Sequence, residues 1–135
     1  TLELKEELDA EFEKSKQLHK HTILMGHFPY SYPSEVPSKF HHKLLGEESL
    51  AELISRHNPI AYLHGHKHVR WCLRDAVTPE TLCINAGPSG MSSSDPDKHA
   101  GWMIFDVTKS GSIDQLIKVH LSKDGESVRE TVDLN

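Results

Sequence analysis

A chain of 135 residues, 36% hydrophobic and 26% charged, suits one domain that buries about two thirds of its unfolded surface and excludes a disordered or low-complexity protein. Fifteen Lys and Arg against twenty Asp and Glu leave a net charge of -5, which excludes an overall positive field for gathering a polyanion and disfavours a nucleic-acid partner. The cysteines Cys72 and Cys83 form neither a disulfide framework nor a close-spaced zinc motif and read as free thiols of a reducing, cytoplasmic compartment; no apolar run approaches the roughly 20 residues of a membrane helix.

In chain order, Leu4, Leu8, Phe12, Ser15 and Leu18 recur mostly at four-residue spacing among Glu and Lys, and this stripe predicts a helix over 3–19. Thr22 to Met25, "TILM", is a short β-prone run halted by Gly26 and reads as a buried strand. Phe28 to Gly46, with its prolines and serines, reads as a long site-shaping loop. "GEESLAELISRHN" is a helix with Glu47 and Glu48 at its start and Asn58-Pro59 at its end. "IAYLHG" then repeats the earlier strand-glycine-histidine pattern, so strand, loop, helix and strand form a βαβ unit with parallel strands. Beyond Val69 the chain alternates in short runs, with hairpin turns at Lys109-Ser110-Gly111 and Lys123-Asp124-Gly125, and predicts an antiparallel sheet.

The chemistry concentrates in "YLHGHKHV". His66 and His68 need a bend to face the same way, and Gly65 makes one cheap. If the two strands are neighbours, His27, preceded by Gly26, falls within reach of both. Three neutral imidazoles at one sheet edge suit zinc, manganese or iron; surface loop histidines are the competing reading.

"ILMGHFP", followed by "AYLHGHKH" and then "INAGPSG", resembles the calcineurin-like metallophosphoesterases. The resemblance covers nearly the whole chain but only the second half of the family pattern: the Gly-His and Gly-His-x-His steps are here, whereas Asp-x-His in its usual place, Gly-Asp-x-x-Asp and Gly-Asn-His are not. It implies an α/β fold, half of a four-layer α-β-β-α sandwich, with 1–135 the C-terminal portion of one incomplete domain. It also implies a metal-dependent phosphohydrolase in which His27 and His66 bind one metal and His68 the other. The complete protein would then hold two divalent ions, manganese, zinc or iron, and act on a phosphate ester. Two such ions repel strongly, and imidazoles cancel none of that charge, so carboxylate ligands would come from an upstream half-domain or another copy of the chain. The isolated chain would be inactive and would expose apolar surface. The alternative from another class is a catalytically inactive binding or scaffold module on the same fold, and a further one is a structural zinc site of histidines joined by Cys72.

Other residues carry blander expectations. Asp97-Lys98-His99 falls after the other motifs and reads as a solvated loop. His64 points away from His66 by strand alternation and reads as packed. His41-His42 read as exposed loop histidines, whereas Tyr30 and Tyr32 either line a cleft or staple the loop. His19, His21, His57 and His120 read as structural. Ser92, Ser93 and Ser94 form no nucleophile elbow, and Trp71 and Trp102 are assigned to the sheet core.

Overall fold

The structure, a computed structural model, describes residues 2–18, 21–32, 47–74, 78–88, 99–122 and 124–134. His19, most of the long loop with His41-His42, the three serines and Asp97 lie outside the described residues.

The first helix, α1 (Leu2–Gln17), has Glu3 in its first turn and Lys14 and Lys16 in its last, matching the helix dipole at both ends. Its stripe buries Phe12, whose ring stacks on His57 of α2 (Glu47–His57) with centroids 4.5 Å apart. Lys5 and Asp9 pin the same pair of helices through Glu52 at 2.7 Å and Arg56 at 3.0 Å. Asn58 ends α2 in the left-handed region at φ 47°, its N–H donating to Ile54 O at 2.8 Å, and Pro59 prevents continuation.

The described residues also hold seven strands: β1 (Ile23–Met25), β2 (Ala61–His64), β3 (Trp71–Arg74), β4 (Leu82–Asn85), β5 (Gly101–Val107), β6 (Ile113–Leu121) and β7 (Ser127–Thr131). They form two sheets, β1-β2-β4-β3 and β5-β6-β7. The βαβ reading matches the structure, because β1 and β2 pair in parallel with Ile23 opposite Ala61. The reading of everything beyond Val69 as one antiparallel sheet needs correction. β4 inserts beside β2 in parallel and takes β3 with it as an antiparallel partner, so only β5 to β7 make an all-antiparallel sheet. All four residues of β4 are buried, as a central strand covered on both faces requires. Both hairpin turns occur where expected, with Gly111 at φ 83° and Gly125 at φ 80°.

The sheets pack face to face: Ala61, Leu82 and Ile84 from the first meet Ile113 and Leu116 from the second. The other face of the first sheet carries Tyr62 and Cys83 against Ile54 of α2. This layering is the α-β-β part of an α-β-β-α sandwich-like arrangement. Two burial expectations change. Trp71 is buried, but Trp102 is 47% exposed, since it sits on the face of β5 opposite Met103 and Phe105, which point into the core. Among the described residues β1 is a sheet edge, with Met25 75% exposed, instead of a buried strand. Among the described residues no helix is long and apolar enough to cross a membrane, and Cys72 and Cys83 are not joined in a disulfide.

Candidate functional site

Parallel pairing brings the ends of β1 and β2 to the same sheet edge, so both glycine-histidine steps meet there. Gly65 N–H donates to His27 O at 3.1 Å, tying the two turns together. The glycines work differently from the sequence expectation. A Cβ on Gly26 would collide with the Tyr62 hydroxyl, which is held by donating to Phe28 O at 2.6 Å. Gly26 is therefore a close-approach residue. At Gly65 a Cβ would meet nothing nearer than 4.0 Å, and the sharp bend falls one residue later, where His66 takes φ 65°. An L-residue there costs roughly 1 kcal/mol, and the structure holds it from both sides. Lys67 N–H donates back to Gly65 O at 2.7 Å, and the buried Asn85 at the end of β4 donates from Nδ2 to Lys67 O at 3.0 Å.

The bend turns His66 onto its neighbours. Its ring lies 5.4 Å from that of His27 and 4.8 Å from that of Phe28, edge to face in both cases, and His27 meets Phe28 at 4.7 Å. His27 and His66 are thus brought together, while His68 is exposed. Among the described residues, no three His, Cys, Asp or Glu side chains gather where they would hold a metal ion.

That finding corrects the chemistry expected from the sequence. The pair of divalent ions, manganese, zinc or iron, has no ligand group among the described residues, and neither has a structural zinc site built on Cys72. The assignment as a metallophosphoesterase hydrolase loses its basis, because in that mechanism the metals generate the nucleophile and neutralise the phosphate. With it falls the phosphate-ester substrate, whose hydrolysis in that mechanism depends on the metals.

His64, expected to be packed, is 7% exposed between Tyr62 at 5.4 Å and Trp71 at 5.5 Å, centroid to centroid. Burial pushes its pKa down to about 4, only partly offset by the 3.4 Å contact of Nδ1 with Gly65 O, so the ring is neutral near pH 7. Its Nε2 and the indole nitrogen of Trp71 are buried with no hydrogen-bond partner among the described residues. Burial also pushes the Tyr62 hydroxyl up to about 12. Tyr30 staples the chain after β1: its hydroxyl sits 2.9 Å from Thr78 Oγ1 and accepts from Cys83 Sγ at 3.1 Å.

One residue escaped the sequence reading. Arg70 is buried in full, donating from Nε to Ala86 O at 3.1 Å and from Nη2 to His99 O at 2.9 Å, so it clamps the segment after β4 to the start of β5. Its signal was an arginine between Val69 and Trp71, a charge at a position that the flanking apolar residues mark as interior. His99, read as part of a solvated loop, is buried instead, with Nδ1 at 2.7 Å from Leu121 O.

No family model and no curated protein matches the chain. Among solved structures it is similar to Vps29 complexed with zinc from Entamoeba histolytica, at 21% identity over 65% of this chain and 47% of that one, with a TM-score of 0.44. It is also similar to vacuolar protein sorting 29 from Cryptosporidium parvum, at 20% identity over 63% of this chain and 42% of that one, with a TM-score of 0.45. The chain spans less than half the length of each of these two structures.

Proposed function

We propose that the chain is a catalytically inactive, polypeptide-binding module built on a phosphoesterase-type half-sandwich. The observation that carries this reading is the fate of the three histidines: His27 and His66 pack against each other and Phe28, and no metal-holding group of three exists among the described residues. Apolar side chains left in solvent support the binding half. Phe28 and Met25 stand at the β1 end of the first sheet, and Trp102, Ile104 and Leu121 stand on the outer face of the second. Clustered exposure of that kind marks contact surfaces.

Hydrolysis of p-nitrophenyl phosphate and of bis(p-nitrophenyl) phosphate, with manganese or zinc added, tests the inactive half of the reading. The expected result is no turnover above the metal-only blank. Turnover that vanishes on replacing His27, His66 and His68 with alanine would overturn it.

A further inference from the structure

We infer that His64 Nε2 and Trp71 Nε1 share one internal water molecule, which bridges the end of β2 to the start of β3 across Asn85 of β4. This goes beyond the binding reading and does not rest on it.

The strands bring the three side chains into one row. Asn85 pairs in register with His64 on one side and with Trp71 on the other, so the three residues sit side by side across β2, β4 and β3. Tyr62, Cys83 and Leu73 of the same strands pack with Ile54 of α2, and two residues along each strand alternation returns His64, Asn85 and Trp71 to that face. All three are buried, at 7%, 0% and 6% exposure. Asn85 is fixed in the middle, its Nδ2 donating to Lys67 O and its Oδ1 accepting from Gly87 N–H, each at 3.0 Å.

The groups on either side of it are complementary. An indole nitrogen can only donate. In the neutral imidazole, Nδ1 faces Gly65 O at 3.4 Å, a group that can only accept, so Nδ1 carries the ring proton and Nε2 presents its lone pair. One donor and one acceptor are thus buried with their rings 5.5 Å apart, centre to centre, bonded neither to each other nor to any other described residue. Buried polar atoms in that position are satisfied by ordered water.

The pairing selects the occupant. An anion would face the lone pair and a cation the indole proton, so the site takes a neutral molecule that both accepts and donates. Water is the smallest such molecule. Two hydrogen bonds of about 2.9 Å meeting at its oxygen span roughly 5 Å, a reach that suits the ring separation. Both nitrogens are already enclosed by this chain, so polypeptide added around it does not reach them. The bridge fastens the strand end from which the His66 bend departs.

Water-selective NOE and rotating-frame NOE spectra of the nitrogen-labelled chain test the inference. A cross-peak between the Trp71 indole proton and water is expected, with the sign of a long-lived bound molecule, and the imidazole nitrogen shifts of His64 should show Nδ1 protonated and Nε2 bare. His64→Phe keeps a ring but removes the acceptor, and the cross-peak should fall at least about fivefold. Should that variant fail to fold, a crystal structure of the parent replaces it, with a density peak expected within about 3.2 Å of both nitrogens. An indole proton with no water cross-peak, or with one of short-lived surface water, overturns the inference. So does a scalar coupling across a direct bond between the two nitrogens, a contact with a side-chain hydroxyl of the chain in place of water, an undiminished cross-peak in His64→Phe, or a crystal without that peak. None of these outcomes bears on phosphate-ester turnover, so the water site and the inactive reading can fail separately.

Discussion

At the scale of single residues, two glycines that look equivalent in sequence do different work. Gly26→Ala forces a methyl into a tyrosine that cannot swing away because its hydroxyl is bonded to Phe28 O. Urea unfolding of that variant should show a loss of about 1–3 kcal/mol, the range for overpacking. Gly65→Ala meets open space and should stay within about 0.5 kcal/mol of the parent. His64 gives the pH prediction. Its folded pKa, about 4, lies below the ordinary histidine value, so the unfolded chain binds a proton more readily than the folded one. Stability is complete above about pH 6.5 and falls as the pH drops to about 4, by on the order of 3 kcal/mol. His64→Phe keeps a ring between Tyr62 and Trp71 and should flatten that part of the pH profile, as read by denaturant midpoints across pH 4 to 7.

At the scale of elements, α1 is held to the body through α2. Phe12 supplies the apolar contact, and His57 Nε2 meets Asp9 Oδ1 at 2.5 Å beneath it. The hydrogen bond from His57, then the nearby Arg56 guanidinium, hold the Asp9 carboxyl below its usual range against the opposing effect of burial. Docking of α1 is therefore strongest with Asp9 ionised and weakens as the pH falls through its depressed pKa. Phe12→Ala should release α1 while leaving the sheets folded. Hydrogen exchange should speed up throughout Leu2–Gln17 and remain slow in β2 and β4, with a cost of about 3 kcal/mol. The helix itself was legible as a stripe of four-residue spacing. What α1 packs against was not, because Phe12 and His57 lie far apart in the chain and no local pattern encodes their meeting.

At the scale of the whole molecule, one core joins the two sheets and one buried arginine joins the segments between them. Leu116 is fully buried between the sheets, and Leu116→Ala should cost about 2–5 kcal/mol and unfold both sheets together, so that fluorescence and far-UV dichroism report a single transition. Arg70→Ala would leave the carbonyls of Ala86 and His99 unsatisfied beside Gly101, where a Cβ would run into the arginine itself. A loss of at least about 3 kcal/mol is expected, because the clamp cannot be rebuilt by a smaller side chain.

Local chemistry was enough to read the helices, the β1-β2 parallel pair, the two hairpin turns and the burial of His64. Each depends on spacing, a glycine at positive φ or a handedness rule that acts over a few residues. Only the tertiary structure decided that β4 lies between β2 and β3, that Trp102 faces solvent, and that His66 packs on His27 and Phe28 without gathering His68 into a metal-holding group. Those outcomes turn on which distant segment lies alongside and on the direction of one bend. Neighbour choice and bend direction are settled when the sheets and turns pack, by contacts between residues that the linear pattern never places together.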